Sequence, residues 1–226
     1  MKKYPESLEN LIYYFSQLDL TLKDKYVILK IKKENNYMGV CMNIKELLEE
    51  NPIIAAVKNE EQLELAINSD AQIIFVLFGD IMNIKNISEI ISSKNKIGII
   101  HIDLVEGLTN KEVVIKYIKD ETKFSGIIST KPQVVKLAKK YNLLGVQRVF
   151  IFDTLSLNNV KNHMISECDA IEVLPGIIPK VLGIISKHSN KPVVAGGLIE
   201  TKEDVMQALN SGATCVSTTK KEIWDM

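Results

Sequence analysis

Residues 191–220 read KPVVAGGLIETKEDVMQALNSGATCVSTTK, and their punctuation decides the fold. Pro192 to Ala195 is a short apolar, β-branched run, and Gly196-Gly197 ends it. Thr201 then heads an amphipathic helix, with Asp204 three residues on completing a capping-box pattern. The helix runs out at Ser211-Gly212, where glycine suits a left-handed C-cap. Cys215-Val216 predicts a second short strand, followed by Ser217-Thr218-Thr219 and another brief helical segment. This order predicts the closing quarter of a (β/α)8, TIM-type barrel. In that fold the loops after strands seven and eight commonly bind phosphate. Glycines let backbone N–H groups approach an anion, and a helix N-terminus adds partial positive charge.

Working backwards, the same rhythm recurs at intervals of about 20–25 residues. Apolar runs at 53–57, 73–78, 98–103, 126–130, 145–152 and 170–174 each precede a helical pattern. Thr109 with Glu112 predicts a second capping box, and Pro132 and Pro179 sit where first-turn prolines belong. The runs are apolar throughout rather than alternating, as parallel strands buried on both faces require. The expected class is therefore α/β, a compact (β/α)8 barrel with short loops. A doubly wound open sheet is the alternative, but no GxGxxG follows the first strand, where Val57-Lys58-Asn59 stands.

Residues 1–41 read differently and are assigned to a short N-terminal extension, with 42–226 as the barrel. Leu8, Leu11, Ile12, Phe15 and Leu18 sit at helical spacing, and Tyr26 to Ile31 predicts a strand. Asn35-Asn36 and Gly39 are expected to break it. Gly39-Val40-Cys41 can be encoded as a ribosome-binding-like sequence, which makes Met42 a candidate start.

Composition narrows the function classes. The chain has 226 residues and 28 basic against 28 acidic ones, so no global field recruits a polyanion. Arg148 is the single arginine, and so the one side chain suited to planar, bidentate recognition of an anion. Cys41, Cys168 and Cys215 are widely spaced and without a CxxC pair, and so are expected to be free thiols rather than metal ligands. With no leader pattern and no apolar run of spanning length, a soluble cytoplasmic protein without membrane contact is expected.

Function in such barrels gathers at the C-terminal ends of the strands. The third strand ends His101-Ile102-Asp103, and period-two alternation puts both polar side chains on the face of Ile99. Glu172 is the odd residue out in AIEVLPG, and a buried carboxylate demands a partner or a ligand hydroxyl. Gln147-Arg148 on the fifth strand face opposite ways, so one of the two is expected inside. Lys58, Asp80 and Lys131 ring the mouth. His101, Asp103 and Glu172 could serve as acid/base machinery, or as hydroxyl partners beside an anion held by Gly196, Gly197, Ser217 and Thr218. Either way the ligand expected is a small phosphorylated polyol. No metal-ligand spacing and no nucleophile elbow is visible. The lysines of the later helices read as solvated faces, and no RNA-binding motif stands out.

HIDLVEGL from His101, GIISTK from Gly126, VQRVFIFDT from Val146, IEVLPGIIP from Ile171, PVVAGGLI from Pro192 and STTKKEIW from Ser217 resemble the bacterial glycerol uptake operon antiterminator regulatory proteins. The likeness runs from about Pro52 to Trp224. It implies a non-catalytic barrel with no cofactor that senses glycerol 3-phosphate as effector. It also implies binding to the leader mRNA of glycerol-utilisation operons and transcription antitermination there. The implied ligand residues are Gly196, Gly197, Ser217 and Thr218 for phosphate, and His101, Asp103, Glu172, Arg148 and Gln147 for the polyol. Assembly into a homo-oligomer is left open. Two other classes compete: an isomerase or lyase acting on a small phosphorylated polyol or sugar, and a metabolite-binding protein acting through a protein partner.

Overall fold

The computed structural model describes residues 26–33, 36–163 and 168–226. The helical spacing expected at Leu8 to Leu18 lies outside them. The chain divides into two compact units at Leu47/Leu48. In the first, β1 (Tyr26–Lys33) and β2 (Asn36–Asn43) form an antiparallel hairpin whose register runs from Tyr26 opposite Asn43 to Lys33 opposite Asn36. Gly39 does not break the strand as expected; it pairs with Lys30 inside β2, and Met42 pairs with Val27. Helix α1 (Ile44–Glu50) follows.

The second unit is a closed barrel of eight parallel strands. They are β3 (Ile53–Val57), β4 (Ile73–Val76), β5 (Ile97–His101), β6 (Gly126–Ser129), β7 (Leu144–Phe150), β8 (Ala170–Leu174), β9 (Val193–Gly196) and β10 (Cys215–Thr218). Each strand pairs with its sequence neighbour, and β10 closes on β3 through Val216 opposite Ile53. Between them run α2 (Glu60–Asn68), α3 (Ile84–Ser93), α4 (Glu112–Glu121), α5 (Pro132–Lys140), α6 (Thr154–His163), α7 (Pro179–His188) and α8 (Lys202–Asn210), with α9 (Lys221–Trp224) after β10. No described helix is long and apolar enough to cross a membrane.

Alternation sorts the strand residues into two sets. Ile74, Val76, Ile100, Ile127, Val173 and Val216 join Ile87, Ile91, Ile118, Val135 and Ile185 of the helices in one buried apolar layer. The opposite set, including Ile54, Phe75, Ile99 and Val194, fills the barrel and is equally buried. That is why the strands carry no polar alternation. Gly126 is required by close approach: a Cβ there would lie 2.5 Å from Leu144 Cβ and 2.7 Å from its carbonyl oxygen.

The capping box at α8 forms, with Asp204 N–H on Thr201 Oγ1 at 3.1 Å and Thr201 N–H on Asp204 Oδ2 at 2.9 Å. The one expected at Thr109 does not. Lys111 is the N-cap of α4, and Glu112 instead accepts from Lys140 Nζ at 2.6 Å and Tyr141 OH at 2.7 Å across the α4–α5 interface.

One ion pair is built into the frame near the start of β8. Asp169 is buried, accepts from Lys139 Nζ at 2.6 Å and holds the Gly145 N–H at 2.9 Å. Burial pushes its carboxyl above the usual range, and Lys139 and the Gly145 N–H pull it back. We expect Asp169→Ala to cost about 3 kcal/mol in urea unfolding, because a largely buried ammonium and an amide lose their partner. Asp169→Asn should cost less, since it can keep the bond to Gly145 without burying a charge. A wild-type midpoint for the alanine variant would contradict this account.

Candidate functional site

Sequence alternation, carried to the C-terminal ends of the strands, delivers a small set of polar side chains into the barrel mouth. Arg148 on β7 and Glu172 on β8 are register partners, both buried, with Arg148 Nε donating to Glu172 Oε2 at 2.6 Å. Ser217 on β10 donates its hydroxyl to the other carboxylate oxygen at 2.7 Å. The Ser217–Glu172 contact reaches across the end of β9, and the residue there is Gly196. A Cβ at that position would lie 2.7 Å from Glu172 Oε1 and 2.7 Å from Ser217 Oγ, so only glycine lets the triad close.

Among the described residues, Nε is the guanidinium nitrogen that makes a hydrogen bond. The two terminal amino groups of Arg148 are left to an incoming acceptor, in the planar geometry that suits an oxyanion. The loop beyond adds backbone polarity. Gly197 has φ +73° and Leu198 φ +62°, a left-handed pair that turns the chain sharply. The Gly176 N–H pins this loop through the carbonyls of Gly196 at 2.6 Å and Gly197 at 3.2 Å.

His101 ends β5 and is buried, with Nδ1 lacking any hydrogen-bond partner. Burial, and then the Arg148 charge, hold its imidazole down at about 4, so the ring is neutral at physiological pH. A neutral ring with an open buried nitrogen can donate to, or accept from, a ligand hydroxyl, but does not oppose Arg148 for an anion.

Three expected residues sit differently. The strand stops at His101, and Ile102–Leu104 is a 3₁₀ turn, so alternation no longer governs Asp103. Its carboxylate instead accepts from Ser129 Oγ at 3.0 Å, Thr130 N–H at 2.8 Å and Thr130 Oγ1 at 3.1 Å, at the head of α5. Gln147 shares its face with Val149, part of the helix-facing layer, and is buried there with Oε1 unpartnered. Of the adjacent pair, Arg148 is the one that joins Glu172. The Thr218 hydroxyl donates to the Ile199 carbonyl at 2.6 Å and accepts from the Lys220 N–H at 3.1 Å, while the Thr218 carbonyl takes Trp224 Nε1 at 2.9 Å. Thr218 thus braces the loop, and any ligand contact from it falls to its backbone.

Sequence reasoning missed Ser129 and Thr130 as the partners of Asp103. The polar end of GIIST carried that signal. It also missed Gly176, which reads from sequence as an ordinary turn residue. Cys215 lies beside Glu172, and burial pushes its thiol far up, which makes it an inert packing group. No cluster of metal-ligating side chains occurs among the described residues.

Residues 53–224 match the family described as glycerol-3-phosphate responsive antiterminator. A solved structure of the glycerol uptake operon antiterminator regulatory protein from Listeria monocytogenes is 34% identical, with TM-score 0.71 over 76% of this chain and 94% of that one. A glycerol uptake operon antiterminator-related protein from Thermotoga maritima is 30% identical, with TM-score 0.70 over 78% of this chain and 99% of that one. An uncharacterised Escherichia coli K12 protein, YgcP, is 43% identical over 186 residues, 82% of this chain and 97% of its own length. The matched span contains the whole barrel and each of the mouth residues, so the chain belongs to the glycerol-3-phosphate responsive antiterminator family.

Proposed function

We propose that this protein is a cytoplasmic regulator whose barrel mouth binds glycerol 3-phosphate, and that the loaded barrel binds the leader mRNA of glycerol-utilisation operons to permit transcription past a terminator. The observation that carries the reading is the Arg148–Glu172–Ser217 triad closing over Gly196 beside the left-handed Gly197-Leu198 turn. The phosphate lies on the glycine loop and against the terminal amino groups of Arg148. Ser217 reaches it by turning its hydroxyl from Glu172. The glycerol hydroxyls point inward to the Glu172 carboxylate and the open His101 nitrogen. Asp103 acts one step removed, by holding the head of α5 at the rim. A binding role suits this chemistry: the Glu172 carboxylate is paired with a guanidinium, and the buried His101 ring is held neutral with Nδ1 unpartnered.

A switch of this kind works only if glycerol 3-phosphate prefers the RNA-competent state. Moving a population from 1:99 to 99:1 takes about 5.5 kcal/mol of differential affinity. Charge-assisted hydrogen bonds to a dianion contribute roughly 1.5–3 kcal/mol each, so two or three formed in one state alone are enough.

Arg148→Lys should keep a cation opposite Glu172 but lose the planar pair of donors. We expect calorimetric titration to show glycerol 3-phosphate binding weakened at least tenfold, about 1.4 kcal/mol, with an unchanged circular dichroism spectrum. Unaltered affinity would remove Arg148 from the site.

A second expectation concerns pH. His101 is held neutral in the fold, at about 4 against an ordinary 6.5. Its contribution to stability is complete above 6.5 and is lost as pH falls from there towards 4, where the unfolded chain takes up the proton first. Unfolding measured across that window should lose on the order of 3 kcal/mol from this group. His101→Gln should flatten that slope. An identical slope in the variant would show that another group is responsible.

A further inference from the structure

The mouth rim next to Arg148 is apolar and open to solvent. Phe150 ends β7 at 50% exposure, Phe152 follows at 82%, and Leu155 in the first turn of α6 stands at 67%. Phe150 is the register partner of Leu174, which in turn packs where a Gly197 side chain would begin. Leu198, next along that loop, is 63% exposed in its left-handed conformation. An apolar stripe carrying two aromatic rings therefore runs from the Gly196-Gly197 loop across the ends of β9, β8 and β7 to the head of α6. Large apolar groups gathered at one place on a surface mark a contact site.

The neighbouring helices supply the matching charge. Helices α6 and α7 pack side by side, and neither contains an acidic residue. Lys180 and Lys187 stand seven residues apart on α7, both exposed and so on one stripe, about 10 Å along the axis. Lys161 joins them from α6. None of the three has an acidic partner among the described residues. On other helices several lysines are neutralised, as in Lys85–Glu121, Lys116–Asp120 and Lys140–Glu112. The acid at the head of α6, Asp153, is occupied by the Ser156 N–H at 2.7 Å. Along α6, between Leu155 and Lys161, Asn158 and Asn159 are exposed.

Exposed aromatic rings, amide side chains and cations on helices that contain no acidic residue are the elements that bind single-stranded nucleic acid: bases stack on the rings while cations follow the phosphates. We infer that the rim from Phe150 to Leu155, together with the outer face of α6 and α7, is the docking surface for a single-stranded segment of RNA. This rests on the regulatory reading above and assigns it a surface. It also gives the ligand a direct route to RNA, because Phe150 and Phe152 stand two and four residues beyond Arg148 on the same chain segment.

The test uses the full chain and a fluorescent single-stranded transcript copied from the leader of a glycerol-utilisation operon, with glycerol 3-phosphate present. Phe152→Ala should weaken binding about 5- to 100-fold, the value of one stacked base. The double variant Lys180→Glu, Lys187→Glu should weaken it at least tenfold and make the log–log salt slope shallower by about 1.4, that of two phosphate contacts on a single strand. Glycerol 3-phosphate affinity without RNA should be unchanged in both, which also shows that the barrel is intact. The control double variant Lys85→Glu, Lys116→Glu, on α3 and α4, should bind RNA within a few-fold of wild type. Wild-type RNA binding by Phe152→Ala and the α7 variant would overturn the inference, as would equal losses in the control. So would a change of oligomeric state on sedimentation with RNA binding retained, which would make the stripe a contact between copies of the chain. Absence of RNA binding by the wild-type protein would overturn the regulatory reading itself, and this surface with it.

Discussion

The mouth of this barrel is organised by one buried ion pair. Two opposite charges removed from water lose several kcal/mol of hydration each, and their attraction recovers this only with good geometry and further hydrogen bonds. Arg148 and Glu172 meet that condition in part. The 2.6 Å contact is direct, and Ser217 satisfies the second carboxylate oxygen. The guanidinium is left with terminal donors that no described residue takes. A pair so completed on the acidic side and open on the basic side is the feature on which the proposed phosphate contact rests. Gly196 makes the arrangement sterically feasible, and Gly176 fixes the loop that carries it.

The barrel was legible because its determinants are local. Apolar β-branched runs, first-turn prolines and Gly-terminated helices recur in phase, and each local choice agrees with the same closed sheet. The box at Thr201 and Asp204 lies within one turn and was read correctly. The one at Thr109 was not, because Lys140 and Tyr141 lie far along the sequence and take the Glu112 carboxylate in the fold. The hairpin shows the same limit, since Gly39 reads as a break until its cross-strand partner is known.

The site was legible to the extent that it follows strand alternation. That rule placed Glu172 inside with one member of the Gln147-Arg148 pair, and strand ends brought Gly196 and Ser217 beside them. It failed at Asp103, where the backbone leaves the strand after His101 and turns the carboxylate to Ser129 and Thr130. No periodicity reports where a strand stops to within a residue. Thr218 illustrates a different blindness: its hydroxyl looks available in STTK, but the fold gives it to Ile199 and Lys220.

Family membership and the geometry of the mouth together make ligand occupancy the property on which the proposed regulation depends. Isothermal titration of the full chain with glycerol 3-phosphate, without RNA and then with saturating leader transcript, measures it directly. We expect one site per chain, tighter when RNA is bound, with RNA affinity raised by the same factor when ligand saturates, as linkage requires. No heat of binding, conversion of the glycerol 3-phosphate to another compound, or an affinity indifferent to RNA would contradict it.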